Sequence, residues 1–140
     1  MKIYTPDGSG AMANAIEQIY PSPILALLIE QTIFTTAEAQ IKDYSGGVWH
    51  FHSDGTTGFW VPDLPSVHVE CENYYSNPYM DTQTFGAGIT LLTLNRLVWK
   101  FHDNNAAVAR RMQDRYEDLH RWAYGDDSPL DIAQLYSYLD

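Results

Sequence analysis

The chain has 140 residues, with 18 Asp and Glu against 8 Lys and Arg and a formal net charge of −10. This length fits one domain that buries a core without metal or disulfide support. The single cysteine, Cys71, excludes an intramolecular disulfide. The acidic balance argues against direct binding to a phosphate backbone, which needs a basic surface. It fits either a solvated surface or a DNA-mimicking surface that occupies the basic groove of another protein.

The distribution of apolar residues indicates a soluble, cytoplasmic protein without membrane contact. Residues 1–10 lack the apolar stretch of a signal peptide. The longest apolar run, Ile24 to Ile29, is too short to span a bilayer.

Residues 1–22 are predicted to form a lead-in to a single domain that covers residues 23–140. Proline and glycine within residues 1–10 are typical of a loose segment. Residues 11–19 are compatible with a short helix before the next prolines. We therefore expect little contribution to the core from the first ten residues.

A second helix is expected to begin after Ser22. Pro23 falls in its first turn, where the missing N–H has no cost. An imperfect apolar stripe continues as far as Lys42. Threonines in the middle lower the helix propensity, so a break near Phe34 is compatible with the pattern.

The strongest local signal is the stretch DYSGGVWHFHSDGTTGFW at residues 43–60. Two aromatic-rich runs flank a short segment with glycine, which is typical of a β-hairpin. Gly46 and Gly47 fit a tight turn before it, because glycine adopts positive φ without steric cost. Four large side chains either anchor a core or form an aromatic surface here: Trp49, Phe51, Phe59 and Trp60.

Alternation of apolar and polar residues follows the hairpin. Val67, Val69 and Cys71 occupy alternate positions, which predicts a half-buried strand, the third of an antiparallel meander. Residues 73–79 form a loop or a short further strand. The tyrosines of this segment form either a binding patch or a packed loop: Tyr74, Tyr75 and Tyr79.

The second half of the chain is predicted to be helical. Residues 84–101 are apolar on most sides, which indicates a buried central helix packed against the sheet. Asp103 or Asn104 is expected to cap the next, amphipathic helix, and Ser128 with Asp131 the last one. The predicted fold is α+β, with a small antiparallel β-meander of three to four strands packed against a buried central helix and flanking helices.

Few residues indicate catalysis. His50 and His52 share one face of a predicted strand, and His68 lies on the neighbouring one, an arrangement that can ligate Zn²⁺ or Fe²⁺. The spacing matches no familiar metal motif, and histidines flanked by aromatic residues are commonly packed. Cys71 is either a nucleophile with one of these histidines as base or a core residue. A metal-dependent enzyme stays an alternative, and we expect no catalytic residue and no cofactor.

Two motifs resemble the ArdB/KlcA antirestriction family. The run DYSGGVWHF followed by Gly-Phe-Trp at residues 58–60 is similar to a family signature. That signature reads Tyr-x-Gly-Gly-x-Trp-x-Phe and then Gly-Phe-aromatic. The run GAGITLLTLNRLVWKF at residues 86–101 is similar to the family's apolar helix, in which a glycine step leads into a Leu-rich stretch.

A third motif lies near the end of the chain. Arg115, Tyr116, Leu119 and Tyr124 fall as in the family's later helix. The three motifs together cover about residues 25–140, in the family's order and at similar separations. The chain departs from the family pattern in the hairpin loop and in the segment after Cys71, which concerns the target more than the fold.

The resemblance implies a small, non-enzymatic, cytosolic α+β protein carried by mobile DNA such as a plasmid or phage. It implies protection of incoming DNA by antagonism of type I restriction-modification, and not by DNA mimicry in the manner of ArdA proteins. We expect protein–protein contact, with the type I restriction enzyme as partner, and no direct binding of nucleic acid. Inhibition of another defence system, such as a CRISPR effector, is the alternative. The candidate contact residues are Trp49, which fits a core position equally well, His50, Trp60, Tyr74, Tyr75 and Tyr79.

Overall fold

A computed structural model describes residues 1–70 and 78–140 and has an α+β architecture, as predicted. Within these residues, three strands form an antiparallel sheet in the order β1-β2-β3, and two short strands form a separate antiparallel ribbon, β4-β5. The elements in chain order are β1 (Lys2–Tyr4), α1 (Ala11–Ile19), α2 (Pro23–Gln40), β2 (Trp49–Ser53), β3 (Gly58–Pro62), β4 (Val67–His68), β5 (Tyr79–Met80), α3 (Thr82–Phe101), α4 (Ala106–Ala123) and α5 (Ile132–Leu139).

The predicted hairpin is confirmed as β2 and β3, which pair along their full length. Asp54 closes the loop between them, because its Oδ1 accepts hydrogen bonds from the amides of Thr56 and Thr57 at 2.8 and 2.9 Å. Gly46 and Gly47, before β2, have φ of 86° and 120°, a region that L side chains rarely adopt. The glycine pair thus makes the turn that the sequence indicates.

The third strand of the sheet comes from the N-terminus and not from the residues after the hairpin. β1 pairs with β2, whereas β4 pairs with β5, so the prediction that β4 extends the meander was wrong. Helix α3 occupies the free edge of β3: Thr90 Oγ1 accepts from the Trp60 amide at 3.3 Å. A Cβ on Gly86 would lie 2.5 Å from the Trp60 carbonyl oxygen. This edge is therefore closed to a further strand.

The N-terminal segment contributes to the fold more than its composition indicates. Lys2–Tyr4 forms a strand, which corrects the expectation of a loose lead-in. The short helix is confirmed as α1. Ile19 and Tyr20 at its end are buried in the same core as the rest of the chain. The proposed boundary after residue 22 stays a prediction.

Helix α2 begins as predicted, with Ser22 Oγ accepting from the Leu25 amide at 3.4 Å and Pro23 in the first turn. It continues to Gln40 without the break considered near Phe34. The threonine hydroxyls donate to carbonyls four residues back within the helix, so they do not compete for its backbone amides.

Helix α3 is the central element of the core, as predicted. It packs against β3, α2, α4 and α5. Asp81 caps it, because its Oδ2 accepts from the amide and hydroxyl of Thr84 at 3.0 and 2.8 Å. In the described ranges, neither α3 nor another helix is long and apolar enough to cross a membrane. The buried residues of α3 are Thr84, Phe85, Gly86, Ala87, Gly88, Ile89, Thr90, Leu91, Thr93, Leu94 and Leu97.

The last two helices are as predicted in position but differ in their caps. Asn105 caps α4, one residue after the predicted Asn104 and two after Asp103. Asp131 alone caps α5, because its carboxylate accepts a backbone N–H of the first turn at 3.1 Å. Ser128, the predicted partner of that cap, precedes the helix and accepts from a nearby loop amide instead.

Candidate functional site

Trp60 lies at the centre of the core, with no exposed surface. Its ring stacks on Tyr20 at 5.3 Å and meets Phe51 edge-on at 5.0 Å. Strand residues alternate between the two faces of a sheet, and Phe51 and Trp60 share the face that the end of α1 covers. A side chain without exposed surface cannot touch a partner on the folded protein. Trp60 is therefore a core residue and is no longer a candidate contact residue.

Trp49 occupies the same face of the sheet and is also buried. Its indole N–H donates to the Tyr44 hydroxyl at 2.9 Å, and its ring lies 5.4 Å from that of Phe34 on α2. The sequence is compatible with Trp49 as a core residue or as a contact residue, and the structure places it in the core. Trp49 is therefore a core residue and is not part of the exposed surface.

His50 points from the other face of β2 and is partly exposed. Its Nε2 lies 3.4 Å from Asp63 Oδ1. Its Nδ1 is buried and has no hydrogen-bond partner in the described part of the chain. His50 thus presents one ring edge at the surface beside an exposed carboxylate, and it stays a candidate contact residue.

His52 lies on the same face as His50, as predicted, but is buried. Its Nδ1 is 3.3 Å from Gln83 Nε2, and its ring packs on Phe59 at 5.4 Å. Burial, with smaller contributions from the nearby His50 and the N-terminal amine, lowers the pKa of His52 to about 4. His52 is therefore neutral at pH 7 and is held as a packed residue.

The three-histidine cluster on which the metal-enzyme alternative depends is not formed. His68 lies on β4, in a different sheet from the strand that carries His50 and His52. Across residues 1–70 and 78–140, no group of three or more His, Cys, Asp or Glu side chains could hold a metal ion. Cys71, the candidate nucleophile, lies outside the described residues.

The β4-β5 ribbon presents a pair of stacked rings. His68 and Tyr79 are paired across the ribbon, and their ring centroids are 4.7 Å apart. Tyr79 is 52% exposed, whereas the neighbouring residue on each strand, Val67 or Met80, is buried. The ribbon therefore packs one face into the core and exposes the other to solvent. Tyr74 and Tyr75 lie outside the described residues.

These residues belong to one region, which we call the hairpin-ribbon surface. The Asp63 amide donates to the Val48 carbonyl at 2.9 Å, which joins both ends of the hairpin. The Thr82 hydroxyl donates to the Leu64 carbonyl at 2.8 Å, which joins this end to the chain just after β5. The surface consists of Val48, His50, Asp63, Leu64, His68 and Tyr79.

Sequence reasoning missed two apolar members of this surface. Val48 and Leu64 are 49% and 37% exposed. A single apolar residue in a loop has no periodicity from which its exposure can be inferred. Their exposure follows only from the fold, in which Val48 precedes β2 and Leu64 follows β3.

Charged residues are distributed unevenly along the chain. Residues 43–95 contain no Lys or Arg and six acidic residues. The basic residues are confined to the N-terminal third and the last two long helices: Lys2, Lys42, Arg96, Lys100, Arg110, Arg111, Arg115 and Arg121. The hairpin-ribbon surface lies within this segment, and the exposed Lys42 adjoins it, because its amide donates to the His68 carbonyl at 2.9 Å.

Comparison with known protein families shows to which family the chain belongs. The family model described as antirestriction protein matches residues 42–135. The chain belongs to the antirestriction protein family. The matched segment contains β2 to β5, α3 and α4, and therefore the whole hairpin-ribbon surface.

Two relatives of this antirestriction protein extend the comparison. A protein of Escherichia coli (strain K12) with the provisional name antirestriction protein YubI is 28% identical over 117 residues, which are 81% of this chain and 80% of YubI. A solved structure from work on KlcA and ArdB has a TM-score of 0.74 at 20% identity and covers 99% of this chain and 94% of the other. That work describes a novel fold and antirestriction activity against type I DNA restriction systems in vivo but not in vitro. The resemblance to ArdB and KlcA and the predicted fold class are both confirmed.

Proposed function

We propose that this protein antagonises type I restriction-modification in the cell, through contact with a protein of the restriction system. The observation that carries the proposal is the match of nearly the whole chain to a structure described as active against type I systems in vivo. Membership of the antirestriction family supports the same activity. The type I restriction enzyme is the first partner to test.

The hairpin-ribbon surface is the proposed contact region. The exposed Asp63 carboxylate, beside His50, is an acidic group on this surface that can pair with a basic side chain of the partner. Tyr79 supplies an exposed aromatic ring, the residue type enriched at energetically important interface positions. Tyr74 and Tyr75 stay predicted members of the region on the basis of the sequence alone.

The proposed action is non-enzymatic. The most perturbed histidine, His52, is buried against Phe59 and Gln83. Its neighbour His50 faces a single exposed carboxylate, that of Asp63. These contacts give the histidines of β2 roles in packing and surface recognition, and they favour an inhibitor that binds and does not turn over a substrate.

The test of function is the plating efficiency of unmodified phage on cells with a type I restriction system, with and without this protein. The assay is made in cells because the matched activity is described as absent in vitro. A strain without the restriction system controls for effects on phage growth. Restored plating with unchanged DNA methylation is the expected result. No protection by folded, expressed protein would overturn the proposal, and protection against a different defence system would move the target there.

The test of the contact region is co-purification of the restriction enzyme with tagged protein from the same cells. The expected partner is lost in the Tyr79→Ala variant and retained in Trp99→Ala, which removes a more exposed aromatic ring on α3. Alanine at both Tyr75 and Tyr79 that leaves fold and protection unchanged would contradict the tyrosine part of the proposal.

A further inference from the structure

A cavity of about 220 Å³ lies between the end of α1, the start of α2 and α4. Its walls are mainly apolar and come from Tyr20, Pro21, Leu25, Ile29 and Met112. It shares no residue with the hairpin-ribbon surface, and the proposed function does not use it. An apolar cavity with a few convergent polar groups is the usual form of a small-molecule site.

Ser22 and two arginines of α4 are the polar residues in the lining of this cavity. Arg111 and Arg115 are four residues apart, which places them on the same face of the helix. Arg115 donates from Nε and Nη2 to Asp118 Oδ2 at 3.2 and 3.0 Å. Arg111 is exposed and makes no hydrogen bond or ion pair with the described residues. One guanidinium at this site is thus paired and the other is available.

The chemistry of the lining selects a ligand class. Among the residues that the structure describes, no Asp or Glu lines the cavity, although the chain carries 18 of them. A guanidinium binds a carboxylate through two parallel hydrogen bonds, and the apolar walls favour a hydrocarbon group. The volume equals that of about seven water molecules in the liquid, which suits a chain or ring of about eight carbons. We propose that this cavity binds a small apolar monocarboxylate, with Arg111 holding the carboxylate.

The proposal is tested by titration of the protein with sodium octanoate, followed through the methyl NMR signals of Leu25, Ile29 and Met112. Saturable shifts confined to these methyls are expected. The neutral analogue 1-octanol should bind about tenfold more weakly, because it lacks the charge that the guanidinium recognises. Absence of saturable shifts with octanoate, or equal affinity for octanol, would overturn the proposal.

Variants of two adjacent arginines distinguish a defined carboxylate site from general attraction to the basic residues of α4. Arg111→Ala should weaken octanoate binding about tenfold. Arg110→Ala is the matched control, because Arg110 is also exposed but lines a different groove, beside Trp99. It should leave the affinity unchanged. Equal effects of the two variants would show non-specific attraction to the basic helix and would contradict a defined site.

A third variant blocks the cavity. Leu25→Trp adds volume to a half-buried position in its wall and should abolish octanoate binding while the circular dichroism spectrum stays native. Retained affinity in this variant would place the ligand elsewhere. Because the antirestriction assay is not involved, failure here and failure of the proposed function are distinguishable.

Discussion

Replacement of Gly86 by alanine is expected to separate the central helix from the sheet edge. A Cβ at this position would lie 2.5 Å from the Trp60 carbonyl oxygen, 2.8 Å from Val61 Cγ2 and 3.0 Å from Val61 Cα. Two of these three contacts involve backbone of β3, which cannot rotate away. The whole helix must shift, and overpacking of this kind costs about 3 kcal/mol. The higher helix propensity of alanine offsets about 1 kcal/mol.

The net expected loss is therefore about 2 kcal/mol of unfolding free energy, or a fall of about 6 to 8 °C in Tm for a domain of this size. Gly88→Ala, two residues on in the same helix, is the matched control. Its Cβ would meet only side chains, at 2.9 Å from Tyr138 Cδ2 and 3.3 Å from Leu135 Cδ1. It should cost less stability than Gly86→Ala, because side chains can shift where the backbone of β3 cannot. Thermal and urea denaturation measure both. A Gly86→Ala protein as stable as Gly88→Ala would refute the close helix–strand contact.

Three further predictions concern single hydrogen bonds and one buried histidine. Asp81→Ala should lower the unfolding free energy by about 1 to 2 kcal/mol in urea denaturation, because the α3 cap is lost, and Asp81→Asn should lower it by less. Tyr20→Phe should cost about 1 to 2 kcal/mol in the same assay, since it leaves the buried Gly58 carbonyl without its 3.0 Å hydrogen bond. The pKa of His52 is about 4 in the fold against an ordinary 6.5, so protonation favours the unfolded chain. The contribution of neutral His52 to the unfolding free energy is complete above pH 6.5 and is lost as the pH falls towards 4. The stability of wild type should fall more steeply over this range than that of His52→Phe; parallel curves would contradict the burial of a neutral imidazole.

The elements that sequence patterns predicted well are those whose signal is local. The hairpin follows from two aromatic runs around a glycine-containing loop. The central helix follows from residues that are apolar on nearly every side. Both signals depend only on neighbouring residues.

The sheet order could not be predicted because it depends on distant contacts. Lys2–Tyr4 is too short and too exposed to show alternation, and only its pairing with β2 makes it a strand. β4 alternates as a third strand should, but α3 already occupies the edge of β3 that it would need. Register and edge occupancy are tertiary properties, which local propensity does not encode.

The candidate site was predicted in part for the same reason. Tryptophan is a residue type common at interfaces, but Trp60 is buried beneath Tyr20. An aromatic residue on a strand suits a core and a contact surface equally, so its residue type alone does not decide between them. Tyr79 was named from the sequence and is exposed, while its ring partner His68 was considered only as a metal ligand.

The measurement that tests the account most directly is phage plating on type I restricting cells that express a variant of the hairpin-ribbon surface. The double variant His68→Ala/Tyr79→Ala removes the stacked ring pair, and Trp99→Ala is the control with another exposed aromatic ring removed. Thermal denaturation confirms that both are folded. If this surface contacts the partner, the double variant loses protection and the control keeps it. Full protection by the folded double variant would contradict the assignment of this surface to the partner.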